Sequence, residues 1–167
     1  MDTLRLLTID DIGPYISLRR EMLDDSPWSF SASPEDDRGL DPASIEAVVS
    51  TPGSCLVGAF DEGRLVSVAG VRREPKLKRR HSVLVWGVYT TPHARGRGLA
   101  RRVLGRVLEV ARSWEGVTVV ELSAGEESLA ARGLYESLGF RTWGIQTQGL
   151  CIDGECRREV HMELVLG

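Results

Sequence analysis

The stretch TPHARGRGLARRVL, near the middle of the chain, places arginines and glycines where a helical pattern begins. The first amides of a helix lack partners within it and carry partial positive charge. Gly96 and Gly98 remove side chains so that the backbone can approach a ligand, and Arg95, Arg97 and Arg101 add full charges. This combination is typical of a pyrophosphate-binding turn. A solvated loop in an arginine-rich chain is the alternative.

The spacing separates this turn from two better-known phosphate-binding motifs. It lacks GxGxxG and it lacks the terminal Gly-Lys-Ser/Thr of nucleoside-triphosphate loops. Arg95, Gly98 and Ala100 follow the pattern Arg/Gln-x-x-Gly-x-Gly/Ala instead. Together with a second motif, SLAARGLYESLGF at 128–140, this pattern resembles the GNAT superfamily of acyl-CoA N-acyltransferases. The second motif matches Asn-x-x-Ala-x-x-Leu-Tyr-x-x-x-Gly-Phe at Ala131, Leu134, Tyr135, Gly139 and Phe140.

The resemblance implies a fold and a donor. The fold is α/β (α+β), with a mixed, mostly antiparallel, roughly seven-stranded sheet flanked by about four helices. The donor is acetyl-CoA, used as a co-substrate. Its pantetheine arm and pyrophosphate are expected along a central strand, the turn and the following helices: Val88, Tyr89, Thr90, Arg95, Gly96, Arg97, Gly98, Leu99, Ala100, Arg101 and Ser128.

The chemistry implied by the resemblance is direct attack of an amine on the thioester. Backbone amides of the central strand polarise the carbonyl, and Tyr135 protonates the departing thiolate. Two residues depart from the family pattern: Ser128 stands where Asn is common, so one donor contact is lost or bridged by water, and Thr90 replaces a usual valine.

The general base is not identified by the motifs. The family often has a carboxylate where Leu84 stands here. Glu121, on the next strand, is a candidate for the base and equally a candidate for a solvent-facing strand residue. His81 and His93 lie nearby, but lone loop histidines are usually polar surface. A water chain is a further alternative. No metal ligand is expected.

Two charged stretches flank these motifs. The basic stretch RREPKLKRR, 72–80, either meets the 3′-phosphate of CoA or a partner, or is a solvated hairpin loop. Acidic residues surround Trp28 and Phe30, and carboxylates beside aromatics suit a cationic acceptor. We therefore predict an acceptor site at Trp28 and Phe30, with a flexible acidic loop as the alternative. The acidic residues are Asp24, Asp25, Glu35, Asp36 and Asp37.

The elements that must position these residues read β-α-α-β-β-β-α-β-α-β-β. SVLVWGVYT is apolar on both faces, which indicates a central strand, and Asp41 followed by Pro42 begins a short helix. The helix after the arginine turn has an apolar face at Leu99, Val103, Val107 and Val110. Antiparallel hairpins at both ends and strand–helix–strand in the middle predict a mixed α/β sandwich around one sheet. Together with the resemblance to the GNAT superfamily, this implies a single N-acetyltransferase domain over 1–167.

Composition excludes several classes of protein. The formal net charge of −3 argues against a nucleic-acid binder. No run of about eighteen apolar residues exists, so no membrane span is expected. The N-terminus MDTLRLLTIDD lacks the features of a signal peptide, which predicts a cytoplasmic protein. The oligomeric state is expected to be a monomer or a homodimer.

The three cysteines are Cys55, Cys151 and Cys156. In CIDGEC the Asp153-Gly154 dipeptide favours a two-residue hairpin turn, which places Cys151 opposite Cys156. A disulfide is geometrically possible there, but a cytoplasmic location favours reduced thiols.

The resemblance to the GNAT superfamily implies an enzyme that transfers an acetyl group from acetyl-CoA to a primary amine, and we expect that amine to belong to a small molecule. One alternative keeps the chemistry and makes a protein N-terminus or lysine the acceptor. Another is a non-catalytic acyl-CoA-binding or regulatory module, which the missing carboxylate at Leu84 favours and Tyr135 disfavours.

Overall fold

The computed structural model describes residues 3–167, which form seven strands and four α-helices. Met1 and Asp2, part of the stretch from which the absence of a signal peptide was predicted, lie outside the described residues. The order of elements confirms the one predicted from the sequence. The strands are β1 (Thr3–Leu6), β2 (Ser54–Asp61), β3 (Arg64–Arg73), β4 (Ser82–Thr90), β5 (Val119–Gly125), β6 (Arg141–Ile152) and β7 (Glu155–Val165). The helices are α1 (Ile12–Asp25), α2 (Pro42–Ser50), α3 (Leu99–Ser113) and α4 (Leu129–Ser137).

The strands form one sheet in the order β1-β2-β3-β4-β5-β7-β6. Within residues 3–167, only the β4–β5 pair is parallel, and α3 connects these two strands as the crossover. The other neighbours pair in antiparallel fashion. This is the mixed, mostly antiparallel sheet implied by the motifs, with β4 at its centre.

Helix α3 covers one face of the sheet through a continuous apolar stripe. Its buried side chains are Leu99, Val103, Leu104, Val107, Leu108 and Ala111. Val110, predicted to lie on this face, is only half-buried at its edge. Fully burying a Val or Leu side chain is worth about 1.5–3 kcal/mol, so this stripe fixes α3, and with it the arginine turn, against the sheet.

Helices α1 and α2 cover the opposite face over β2–β4, in a second core that includes Tyr15, Met22, Leu56 and Val68. The cap predicted at Asp41 is present, because its Oδ2 accepts a hydrogen bond from the Ser44 amide at 2.9 Å.

The loop between α1 and α2 is pinned by a buried ion pair. Asp37 Oδ2 lies 2.6 Å from Arg19 Nε, and the two side chains are only 6% and 7% exposed. Breaking a buried pair costs about 3–5 kcal/mol, so this loop has a defined position over the sheet.

The C-terminal hairpin of β6 and β7 turns at Asp153-Gly154, whose φ angles of 49° and 85° give the predicted two-residue turn. Cys151 lies directly opposite Cys156, and the two are joined by a disulfide with a Cα–Cα distance of 4.1 Å. The expectation of reduced thiols at these positions is therefore wrong. Cys55 is the free cysteine.

In residues 3–167, no helix is both long and apolar enough to cross a membrane.

Candidate active site

The site is created where β4 and β5 separate. Their parallel ladder pairs only Ser82–Leu84 with Val119–Glu121. Beyond it the strands continue to Thr90 and Gly125, respectively, without pairing to each other. The backbone groups of β4 that face β5 are thus left without a strand partner over its second half. This is the edge that an extended ligand needs for strand-like pairing.

Two cavities meet at this separation. A narrow groove of about 370 Å³ runs from the end of β4 past the start of α3 to α4. A wide cleft of about 1130 Å³ extends from the same place across the α1–α2 side of the sheet. Val88, Tyr135, Phe30 and Ala131 line both cavities, so the two spaces join at these residues.

Most residues predicted to contact acetyl-CoA line the narrow groove. They are Val88, Tyr89, Thr90, Arg95, Gly96, Gly98, Leu99, Ala100 and Arg101. Arg97 lies outside both linings, and Ser128, at the start of α4, lines the wide cleft instead.

The turn before α3 has the backbone that its glycines predict. Gly96 and Gly98 have φ angles of 76° and 72°, and a Cβ at either position would meet nothing within 4 Å. Their free side faces open space. The Arg102 amide donates to the Gly98 carbonyl oxygen at 3.2 Å and begins the helical ladder. The amides of Leu99 and Ala100 therefore point out of the helix end without an intrahelical acceptor, which suits an anion.

The arginines of this turn have protein partners. Arg95 pairs with Asp25 and also donates to the Thr90 carbonyl oxygen at 3.0 Å. Arg97 Nη1 lies 2.6 Å from Asp61 Oδ2. Arg101 donates to Ser137 Oγ at 2.6 Å. The side chains thus tie the turn to α1, β2 and α4 as well as adding charge.

Tyr135 lies on α4 where the two cavities join. Its ring is 5% exposed and packs edge-on against Phe140, with centroids 6.0 Å apart. Burial raises the pKa of its hydroxyl to about 12. The phenol is therefore protonated at neutral pH, as a proton donor must be.

Glu121 does not reach either cavity. Both of its carboxylate oxygens accept from Arg79 Nη2, at 3.0 and 2.9 Å, and it lies opposite Leu84 where the strands are still paired. The structure therefore matches the alternative of a solvent-facing strand residue and argues against Glu121 as the base.

The predicted acceptor residues separate in the structure. Phe30 lines both cavities, whereas Trp28 lines neither. The Trp28 ring is covered by Arg157 of β7, whose guanidinium carbon lies 4.1 Å from the ring centroid. Trp28 thus ties the α1–α2 loop to the C-terminal hairpin.

The acidic residues of this loop are largely engaged. Asp37 is paired with Arg19, and Asp36 accepts from the Ser33 amide at 2.7 Å. The expected attraction of a cationic acceptor by Asp37 does not fit this burial, because its charge is already matched.

The basic stretch lies away from the arginine turn, because it joins the end of β3 to the beginning of β4. Within it Arg72 and Arg80 line the wide cleft, and Arg73 donates to the Glu115 carbonyl oxygen at 2.9 Å. This placement does not favour contact with a 3′-phosphate beside α3.

The sequence reasoning missed one carboxylate, Glu159 of β7, which lines the wide cleft together with Ser123 of β5. Ser123 Oγ donates to Glu159 Oε1 at 2.7 Å. The alternating pattern of β7 indicated a strand, but only the register of β7 on β5 shows which residue faces the cleft.

The decisive comparison is with protein families. The model of the Acetyltransferase (GNAT) family matches residues 15–140. The chain belongs to the GNAT acetyltransferase family. It is therefore an acyltransferase enzyme with acetyl-CoA as donor, and the alternative of a non-catalytic module is not supported.

Relatives and solved structures agree with this membership. N-alpha-acetyltransferase RimI of Mycobacterium tuberculosis is 29% identical over 154 residues, covering 91% of this chain and 86% of that protein. N-acetylaspartate synthetase of Danio rerio is 35% identical over 119 residues, covering 70% of this chain but 40% of that protein. The acetyltransferase yncA from Salmonella typhimurium, solved with its cofactor acetyl-CoA, superimposes with a TM-score of 0.87 at 22% identity, covering 99% of this chain and 94% of that chain.

Among residues 3–167, no group of three or more His, Cys, Asp or Glu side chains is placed to hold a metal ion.

Proposed function

We propose that this GNAT enzyme acetylates a primary amine of a small molecule by direct attack on the thioester of acetyl-CoA. The observation that carries the proposal is the meeting of the narrow groove and the wide cleft at Val88 and Tyr135. A donor in one cavity and an acceptor in the other would come into contact only there.

The donor half follows from the end of β4 and the turn before α3. The amides of Leu99 and Ala100 and the open space over Gly96 and Gly98 suit the pyrophosphate. The edge of β4 that is not paired with β5 suits the pantetheine arm, and its amides near Val88 suit the thioester oxygen. Arg95 and Arg97 already hold aspartates, but exposed ion pairs contribute only about 0–1 kcal/mol, so a phosphate can compete for them.

The position of Tyr135 supports a role for its hydroxyl at the departing sulfur. It is the phenol that lines both cavities, and its raised pKa of about 12 keeps it protonated. During C–S bond cleavage its hydroxyl donates a hydrogen bond to the developing thiolate.

The surroundings of the proposed acceptor site favour a compact acceptor molecule. The contact of Arg157 with Trp28 joins the hairpin to the α1–α2 loop beside the end of β5, and Phe30 lies at the junction. A small amine can reach Tyr135 without displacing this contact. The similarity to N-acetylaspartate synthetase, whose name gives a small product, supports the same acceptor class.

A second candidate acceptor is a protein N-terminus. It is favoured by the similarity to N-alpha-acetyltransferase RimI over most of both chains. The wide cleft of about 1130 Å³ is large enough for a few residues of a peptide.

The test is CoA release from acetyl-CoA with a panel of amines. The panel contains the free amino acids, linear polyamines, short peptides with free N-termini, and the same peptides N-acetylated but carrying a lysine. We expect turnover with one or more free small amines at a kcat/KM at least tenfold above that of any peptide. A preference for peptides with free N-termini would favour the second candidate, and acetylation of none of these would contradict the proposal.

A further inference from the structure

We infer that Glu159 is the general base of the acetyl transfer and that Ser123 positions it. The inference rests on the proposed acceptor half of the reaction and assigns the proton acceptor that the sequence motifs left open. The observation behind this inference is independent of those motifs, because neither Glu159 nor Ser123 belongs to the arginine turn or to the α4 motif.

The placement of Glu159 follows from the register of three strands. On β7 it lies directly opposite Gly125, the last residue of β5, and opposite Gln146 of β6. Residues directly opposite in an antiparallel pair share a face of the sheet. Glu159 therefore projects from the α1–α2 side at the open end of β5, and it lines the wide cleft that also reaches Val88 and Tyr135.

Its carboxylate is held with one oxygen available. Ser123 Oγ donates to Oε1 at 2.7 Å. Within residues 3–167, Oε2 has no hydrogen-bond or ion-pair partner, and the residue is half-buried. One oxygen is thus oriented by the protein, and the other is left for an ammonium group.

Of the other acidic residues of the cleft, one is excluded by its ion pair and one by its position. The acidic lining of the wide cleft consists of Asp37, Glu74 and Glu159, and the described lining contains no histidine. Asp37 is matched by Arg19. Glu74 lies at the far end of the cleft, where its amide donates to the carbonyl oxygen of Ser82, the first residue of β4, at 3.0 Å.

The backbone around Glu159 is closely fitted. A Cβ at Gly149 of β6 would lie 2.4 Å from Glu159 Cβ and 2.9 Å from its amide nitrogen. This glycine therefore lets β6 approach β7 beside Glu159. The bulge between Gln146 and Leu150 accommodates the same approach.

On β7, Arg157 and His161 lie two residues before and after Glu159 and therefore on the same face of the strand. Arg157 is paired with Glu127 and Glu155, at 3.0 Å to each. His161 Nε2 lies 3.3 Å from Gln146 Oε1. The facing positions on β5 and β6, Gly125 and Gln146, are uncharged.

In the reaction, the amine nitrogen bonds to the acetyl carbonyl carbon while the C–S bond breaks. The proton that the nitrogen must lose passes to Glu159, directly or through one water. The sulfur leaves with the electron pair of the C–S bond, accepts a hydrogen bond from the Tyr135 hydroxyl, and then takes a proton from solvent. Glu159 returns its proton to solvent before the next cycle, so no further reactant is required.

The test compares Glu159→Gln with Glu163→Gln, using the amine of the panel with the highest turnover. Gln keeps an oxygen that accepts from Ser123 and removes the base. We expect kcat/KM for the amine to fall about 100-fold, in the range of general-base effects, with acetyl-CoA affinity unchanged. The rate of the Glu159→Gln variant should also rise with pH in proportion to the unprotonated fraction of the amine. This rise should be steeper than in the wild type. Glu163, on the same strand and face but outside both cavities, should give wild-type rates.

A second pair of variants tests the position of the Glu159 carboxylate while the glutamate itself is retained. Gly149→Ala should displace Glu159 and lower kcat/KM on the order of 10-fold. Gly144→Ala, where a Cβ meets nothing within 4 Å, should not. If the folded Glu159→Gln variant has a kcat/KM for the amine within threefold of the wild type and the same pH profile, the inference is overturned. Acetyl transfer itself would then remain intact. Failure of the wild type to acetylate any amine would instead contradict the proposed function.

Discussion

At the scale of residues, the environment of Tyr135 determines what it can contribute. Burial raises its pKa to about 12, whereas a free thiol has a pKa of about 8.5. Complete transfer of its proton to the leaving sulfur is therefore unfavourable. A hydrogen bond to the developing thiolate remains favourable, so Tyr135 should contribute a factor to the rate rather than most of it.

Removing this hydroxyl gives a direct test. Tyr135→Phe should lower kcat about 100-fold, the low end for general acids, and leave acetyl-CoA affinity and Tm nearly unchanged because the ring is retained. Tyr15→Phe is the matched control: Tyr15 is 1% exposed, its hydroxyl has no hydrogen-bond partner among residues 3–167, and it lies in the second core. If the chemical step limits the rate, a kcat of Tyr135→Phe within twofold of the wild-type value would refute the role of Tyr135.

The sequence identified some site residues and missed others for physical reasons. Tyr135 became a candidate because it belongs to a motif with fixed spacing. Trp28 was misplaced because a loop has no periodicity that tells which way a side chain points. Asp37 was misread because its partner, Arg19, lies 18 residues away on α1. Glu159 was missed because its role depends on pairing with β5.

At the scale of elements, helix α3 has two roles. Its buried stripe fixes it on the sheet, and its exposed first turn presents amides to the narrow groove. The left-handed backbone at Gly96 and Gly98 is what aims these amides, with φ near 70–80° at both positions.

A charge placed at this turn should weaken donor binding. Gly98→Asp adds a carboxylate facing the proposed pyrophosphate, whereas Gly98→Asn adds the same shape without the charge and tolerates the same backbone. By calorimetry we expect acetyl-CoA to bind Gly98→Asp about 100-fold more weakly than Gly98→Asn, since like charges near a protein surface repel by several kcal/mol at contact. Equal affinities of the two folded variants would argue against a pyrophosphate at this position.

Elements were more predictable than the contacts between them. Hydrophobic periodicity, Asp41-Pro42 and Asp153-Gly154 located helices and turns because these signals are local. The register that brings Cys151 opposite Cys156 was also local and is confirmed. The state of these thiols was predicted from the cellular compartment rather than from that register, and this prediction was wrong.

At the scale of the whole molecule, the site exists because the sheet is covered unevenly. Helices α1 and α2 pack on one face over β2–β4, while α3 contacts the other face of the same three strands. The α1–α2 side of β5 and β7 carries polar residues such as Ser123, Glu159 and His161. The wide cleft runs along this boundary between the apolar core and the polar strands, where an acceptor can enter and a carboxylate stays hydrated.

The stability of the whole fold should depend on acid through Asp11, which joins β1 to α1. Asp11 accepts from Arg5 at 2.6 and 2.8 Å and from the Thr8 amide at 2.8 Å. These bonds, that from Arg5 foremost, lower its pKa from 3.8 to about 2. A carboxyl group whose pKa is lower in the folded than in the unfolded protein stabilises the fold fully at pH values above its unfolded pKa. This stabilisation is lost as the pH falls towards the folded pKa. The contribution is about 2 kcal/mol at pH 7, with roughly half lost by pH 3.

Asp11→Asn should therefore lower the free energy of unfolding in urea by about 2 kcal/mol at pH 7 and by less at pH 3. Asp10→Asn removes the same charge from the exposed neighbouring position and should change it by no more than about 0.5 kcal/mol. Carboxyls with pKa values lowered by Arg95 and Arg97, Asp25 and Asp61, shift in the same direction but are exposed, so salt screens their share. A stability difference between wild type and Asp11→Asn that stays constant from pH 7 to pH 3 would contradict this assignment, because only titration of Asp11 makes that difference depend on pH.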